Sequence, residues 1–403
     1  MVTITILDIF PGLSTFLEVE PIMAVARIML IIAGGLLVYL GFKNIIEPLV
    51  MIPMGFGMLF VNAGVLMMPG GQLGTLFVDP FVSEPAEILD ALQIYFLQPI
   101  YTLTFSNGLI AVLIFLGIGT MTDIDFLISK PILAFSIAIA AELGTVVTLP
   151  LAVMFGFSLP EAAAIATIGG ADGPMVLYAS IILAKHLFVP ITVVAYLYLS
   201  IIYIIYPFMI KGMVPKAMRG ILMNPLEITL IPQREKFIFA IIMGAVLCLL
   251  VPSAAPLLGA FFFGVAIKES GIRRFKEFSD ILVSGGTLFL GFVLGSLLSA
   301  DVLLNPQVSM IAVLGMVALL ISGVGGISAG LIISKLTRGR INPLIGVAGV
   351  SCVPTTAKIA QKCAKAENKN AMLLPFAMGP CVAGVITSAI IAGFYVAMVW
   401  SFI

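Results

Sequence analysis

The chain predicts an all-α polytopic membrane protein: about ten transmembrane helices plus two re-entrant, discontinuous helices, arranged as two inverted repeats. Three observations predict it. Of 403 residues, 61% are hydrophobic and only 10% charged, with a mean hydropathy of +1.22. Long apolar runs recur from end to end, many near the ~20 residues that cross a bilayer. Two further apolar segments, 160–184 and 342–357, are broken by clusters of Gly and Pro. Such breaks are tolerated at membrane depth only where they line a cavity or are buried in protein.

The elements follow in chain order. Residues 1–21 carry Asp8, Glu18 and Glu20 and no basic residue, so they do not read as a cleavable signal. Ile4 to Val19 read either as an amphipathic interfacial segment or as a loosely packed terminus. Spans are expected near 22–42, 46–68, 101–121, 130–156 and 188–210. After a linker at 211–235 they resume near 236–251, 256–268, 281–300, 308–334 and 371–401. Residues 22–210 give four spans, a broken segment and a span, and 236–403 give the same order. Five crossings is an odd number, so the second half is inverted relative to the first.

Charge placement orients this layout. With the N-terminus outside and both broken segments returning to their side of entry, all the Lys and Arg residues except Arg27 and Lys185 face the cytoplasm. Both termini are then outside. Zero net charge leaves no nucleic-acid footprint. Cys248, Cys352, Cys363 and Cys381 are scattered without a CxxC pair, and His186 is the one histidine. Neither a zinc framework nor a histidine-based metal centre is expected.

Asp172, in Gly169-Gly-Ala-Asp-Gly-Pro174, carries the most information. A carboxylate in a membrane core costs about 2.5 kcal/mol or more. Freed carbonyls beside it suit a hard cation, so the residue reads as a site for Na⁺, a proton, or each in turn. The plainer reading is a neutral Asp capping a half-helix. Glu142 is the other intramembrane acid, read equally as a second acid on the ion path or as a protonated structural group. Asn342, Ser351, Thr355 and Thr356 offer neutral oxygens in the second broken segment, where Gly346 and Gly349 admit close backbone approach. Asn342 and Ser351 either complete the cation shell across the repeat axis or make ordinary interhelical bonds worth ~0.6 kcal/mol each. Of Tyr196 and Tyr198, at least one hydroxyl faces the interior. Lys358 is either a docking cation for an anionic substrate or one more positive-inside lysine.

These motifs resemble the β subunits of the biotin-dependent, sodium-translocating decarboxylases, which act on oxaloacetate, glutaconyl-CoA, methylmalonyl-CoA or malonate. The matching stretches are Gly169-Gly-Ala-Asp-Gly-Pro174, Ala195-Tyr-Leu-Tyr198, Asn342-Pro-Leu-Ile-Gly346, Ala348-Gly-Val-Ser351 with Val353-Pro354, and Met378-Gly-Pro380 with Val382-Ala-Gly-Val-Ile386. The resemblance implies a carboxybiotin decarboxylase in which proton-consuming CO₂ loss drives Na⁺ outward. It implies Asp172 as Na⁺ ligand and proton-linked carboxylate, and Asn342, Gly346 and Ser351 as the rest of the ion pathway. Tyr198 would be proton donor or ligand, and Lys358 would face carboxybiotin presented by a separate carrier. The partners implied are the biotin carrier and carboxyltransferase subunits, a small single-span membrane subunit, and further copies of the chain as a trimer. The implied location is the inner membrane of a bacterium or archaeon. Three positions depart from the pattern: Lys358 replaces Arg, Cys381 replaces Asn, and Glu142 replaces Gln. Lysine binds a carboxylate as a point charge without a fork. Cysteine removes a hard oxygen ligand from one sodium site. With Met175 after Gly-Pro, these differences favour a malonate branch. A secondary Na⁺/carboxylate or cation/proton transporter shares the inverted repeats and the broken-helix Asp. A neighbouring biotin-carrier gene discriminates between the two.

Overall fold

The computed structural model describes residues 10–68, 73–80, 82, 84–224 and 229–402. The first nine residues of the expected interfacial segment lie outside these; its remainder holds a short helix, α1 (Pro11–Glu18). Helices α2 (Pro21–Phe42) and α3 (Pro48–Ala63) follow, then a hairpin of two three-residue strands, β1 (Val65–Met67) and β2 (Leu73–Thr75), pairing Val65 with Thr75. Next come α4 (Pro85–Ile94) and α5 (Leu109–Met121). Four of these helices open on proline, whose fixed φ and missing N–H suit the first helical position.

Helices α6 (Pro131–Ala141) and α7 (Leu143–Met154) form one span that relaxes for a single residue at Glu142, φ −81° and ψ 3°. The first broken segment is α8 (Leu159–Ala166), a 3-10 turn at Thr167–Gly170, and α9 (Gly173–Leu183), followed by α10 (Phe188–Met213). The second half contains α11 (Gln233–Leu250), α12 (Ala255–Glu269), α13 (Arg273–Ser296) and α14 (Pro306–Leu336). The second broken segment is a 3-10 turn at Pro343–Gly349, an extended stretch, and α15 (Thr355–Glu367); α16 (Leu374–Phe402) closes the chain.

The described helices differ from the expected ten spans in count, though not in kind. Six are long and apolar enough to cross a membrane unaided. The expected span at 46–68 yields only the 16 residues of α3, about 24 Å at 1.5 Å per residue, because the chain turns into β1 after Gly64. The span at 101–121 is bent by 67° between Phe105 and Leu109, and the runs at 236–251 and 256–268 form one pair bent by 120° at Pro252.

Contacts divide the chain into two compact units. One takes residues up to Ile110 together with Ser284–Met310; the other takes Ala111–Val283 and Ile311–Ile403. In the first unit, buried Arg27 donates to the Asn62 carbonyl and to the Thr15 hydroxyl, both at 3.1 Å, and stacks on the Phe16 ring. A basic residue left over by the charge rule is thus held as a clasp. In the second unit, Lys236 lies 3.3 Å from Asp125 and 3.5 Å from Glu269, joining the start of α11 to the end of α12. Asp172, Glu142, Asn342, Ser351 and Lys358 all belong to the second unit.

Candidate functional site

Each broken segment is a hairpin, because its two ends meet. At the start of α8, Ser158 donates its N–H and hydroxyl to Glu161 Oε2, both at 2.7 Å, in a capping box. Glu161 Oε1 lies 2.6 Å from Nε2 of His186, just beyond α9. The feet of the second hairpin hold one short piece of the linker. Asn342 Nδ2 donates to the carbonyls of Arg219 and Ile221, each at 2.9 Å. At the far foot Glu367 accepts from Arg219 at 3.1 Å, and Asn368 donates to the Gly220 carbonyl. Each broken segment thus returns toward its own start, the arrangement expected of a re-entrant hairpin.

The hairpin tips meet in the interior. After the 3-10 turn, Ala171 takes a left-handed conformation at φ 55°, which redirects the chain and leaves Asp172 extended at the N-cap of α9. Asp172 Oδ1 accepts the Met175 N–H at 3.2 Å, the capping bond expected of such a residue. Its Oδ2 is buried without a hydrogen-bond partner, and so is the hydroxyl of Tyr196, whose ring packs on Gly173. The Gly170 carbonyl accepts twice from Ser351, from the N–H at 3.1 Å and from the hydroxyl at 2.6 Å. Ser351 Oγ lies 2.9 Å from Ser388 Oγ on α16. Ser388 is hydrogen-bonded to Glu142 Oε1, and Thr145 donates to Glu142 Oε2 at 2.6 Å. Glu142, Asp172 and Ser351 are each at most 4% exposed.

Glu142 thus has a partner at each oxygen, accepting from Ser388 at Oε1 and from Thr145 at Oε2. No cation lies within ion-pairing distance of either acid among the described side chains, so the interior holds one acid that is satisfied and one with a free oxygen.

The remaining predicted residues sit elsewhere. Asn342 spends its amide on Leu344 N–H at 2.9 Å and on the linker carbonyls. Gly346 is a packing site, where an added Cβ would overlap the Gly326 carbonyl and reach 2.8 Å from the Gly330 Cα. Tyr198 gives its hydroxyl to the Ala312 carbonyl on α14. Two residues apart on a helix is 200°, so Tyr196 and Tyr198 face opposite ways and only Tyr196 reaches the tips. Lys358 is exposed on α15. Cys381 is buried, with Sγ 3.6 Å from Thr356 Oγ1. Sequence reasoning missed Thr145 and Ser388; Ser388 lies just beyond the Val382-Ala-Gly-Val-Ile386 stretch, and the available signal was its small polar side chain on an otherwise apolar helix.

Comparison with known proteins places this architecture. The family model described as the Na⁺-transporting oxaloacetate decarboxylase beta subunit matches residues 26–399. A carboxybiotin decarboxylase of Malonomonas rubra is 50% identical over 97% of this chain and 98% of its own. A methylmalonyl-CoA decarboxylase subunit beta of Propionigenium modestum is 35% identical, and an oxaloacetate decarboxylase beta chain of Haemophilus ducreyi 34%, each over 91% of this chain and 93% of its own. A full-length match of this kind, on a multi-pass helical membrane protein with the two hairpins described, means that the chain belongs to the beta-subunit family of the Na⁺-transporting decarboxylases.

Proposed function

We propose that this chain is the carboxybiotin decarboxylase subunit of a Na⁺-transporting decarboxylase, and that Na⁺ and a proton exchange at Asp172. The observation that carries the proposal is the buried, unpartnered Oδ2 of Asp172 at the point where both hairpin tips are tied through Gly170 and Ser351. A carboxylate there is uncompensated in an apolar interior unless a cation or a proton accompanies it. Its neighbours supply what a small hard cation takes: the Gly170 carbonyl, the Ser351 hydroxyl and the free Tyr196 hydroxyl. Tyr196 takes the role that sequence alone gives to Tyr198. Asn342 and Gly346 place the second tip rather than touch the ion.

The reaction is loss of CO₂ from N-carboxybiotin. The N–C bond breaks, its electron pair stays on the ureido nitrogen, and that nitrogen takes up a proton. Entry of Na⁺ at Asp172 displaces one proton, and departure of Na⁺ readmits one, so each decarboxylation can draw its proton through the same carboxylate that loads the cation. Lys358, on the exposed face of α15, offers a positive charge to the carboxybiotin anion. The biotin arrives on a carrier subunit loaded by a carboxyltransferase subunit, which selects the acid upstream. Greater identity to the Malonomonas protein than to the oxaloacetate and methylmalonyl-CoA chains favours a separate branch, for which we retain malonate. Two inverted repeats at 22–210 and 236–403, an inner-membrane location with both termini outside, a small single-span companion and a trimer complete the proposal. It is favoured over a transporter without decarboxylase activity because the relatives are named for decarboxylation.

The test is CO₂ release from carboxybiotin by the purified protein, with and without Na⁺, beside Asp172→Asn. Na⁺-stimulated release that is lost in the variant is expected. Equal release by a folded variant would remove Asp172 from the mechanism.

A further inference from the structure

Away from the hairpin tips, the second unit carries a cleft whose chemistry the pump does not explain. The end of α14 passes through Arg338 and Gly339, both left-handed at φ 53° and 78°. This tight turn brings Arg338 and Arg340 to the rim of one cavity of about 670 Å³, which Lys130 at the start of α6 also lines. These three cations are exposed, and none has an ion-pair or hydrogen-bond partner for its side chain among the described residues. Among the described residues, no Asp or Glu lines the cavity.

The cavity continues into a second cleft of about 430 Å³, sharing Lys130, Leu133, Leu336 and Thr337 with it. This continuation is almost wholly apolar. It runs between the first turns of α6 and the last turns of α14, past Ile132 and Ile333. Both helices belong to membrane-crossing spans. A cationic chamber at the level of the helix ends, opening into an apolar groove along the same helices, has the two-part shape of an anionic lipid: phosphate at one end, acyl chain at the other. Positive-inside lysines alone require charge near the helix ends. They do not require a chamber lined by no described acid and joined to a groove.

We infer that this cleft binds an anionic glycerophospholipid, with its phosphate among Lys130, Arg338 and Arg340 and an acyl chain along Leu133, Ile333 and Leu336. The proposal does not depend on the ion site or on decarboxylation. Each cation near an anionic headgroup contributes about a fivefold preference.

Native mass spectrometry of the purified full-length protein, given dioleoyl phosphatidylglycerol or dioleoyl phosphatidylcholine, reads the site directly. We expect retained phosphatidylglycerol and little phosphatidylcholine, with retention reduced about tenfold or more in Arg338→Gln/Arg340→Gln. Lys130→Gln/Arg340→Gln provides a second pair should the first fold poorly. Lys362→Gln/Lys365→Gln, which removes equally exposed cations on α15, should retain the lipid fully. Millimolar inorganic phosphate should not displace it, because phosphate lacks the chain. Equal retention of both lipids, or unchanged retention in both cleft pairs, would overturn the proposal. Complete displacement by phosphate would mark a free-anion site instead. Displacement by the carboxylated biotin carrier, with no lipid preference, would mark a carrier dock and likewise overturn it.

Discussion

The two hairpins share a plan and divide the labour. The first runs apolar helix, 3-10 turn, apolar helix, and holds its one intramembrane acid at the turn with an oxygen left over. The second has no acid in its buried part; its tip offers a serine, and it ends in α15, with Lys358, Lys362 and Lys365 exposed. The first is closed at its feet by a local pair, Glu161 with His186. The second closes on a distant part of the chain, residues 219–221. One hairpin carries an acid with an unpartnered oxygen, the other a neutral serine and an exposed run of lysines; on the proposed function the first supplies the charge for a cation and the second a neutral ligand. An ion that must leave as readily as it arrives is served by one carboxylate: a second at Ser351 would bind a monovalent cation too well, and none would leave binding to neutral dipoles.

Exchanging the roles breaks this comparison most severely. Asp172→Ser combined with Ser351→Asp keeps composition and moves the acid onto the Gly170 carbonyl, where it meets an acceptor instead of the Met175 N–H. Na⁺-dependent CO₂ release should fall about 100-fold, or 2.7 kcal/mol, and recovery in the double variant would show that only the sum of ligands matters. Ser351→Ala leaves its N–H on Gly170 and deletes one hydroxyl. Half-saturation for Na⁺ should rise about tenfold, equivalent to 1.4 kcal/mol, with the maximal rate kept. Glu142 sharpens the same point. Glu142→Gln keeps an acceptor oxygen for one of the two hydroxyls, whereas Glu142→Leu strands both Ser388 and Thr145 and should destabilise the fold by about 1–3 kcal/mol. Thermal unfolding of the two variants separates them; equal loss would mean that both carboxylate oxygens are needed. Smallest is Lys358. Lys358→Arg should hold the KM for carboxybiotin while Lys358→Ala raises it a fewfold, about 1 kcal/mol, and equal values would leave Lys358 as a topology signal.

Much of this was legible because the bilayer leaves few choices. Apolar runs without charge must be helices, and Gly and Pro within them must mark breaks, so both hairpins and Asp172 follow from pattern alone. What was not legible depends on rotation and on partners far away in the chain. Tyr196 and Tyr198 are equivalent as letters, and only the setting of α10 against α14 and the tips sends one to Gly173 and the other to Ala312. Nor does pattern show that Asn342 gives its amide to the linker carbonyls of Arg219 and Ile221. The 46–68 run is apolar but for Glu47 and Asn62, yet its helix stops at Ala63, just before β1, a boundary that hydropathy does not register. Ser388 joins Glu142 across 246 positions, a pairing no local pattern contains.

The hold of Asn342, Glu367 and Asn368 on residues 219–221 gives the buried machinery an outside pointer. Both feet of the second hairpin grip the same three residues of the linker, and Leu222 beside them is 55% exposed. Any tilt of that hairpin would carry residues 219–221 with it, so a label at Leu222 would report on the surface a displacement whose origin lies in the buried part of the chain.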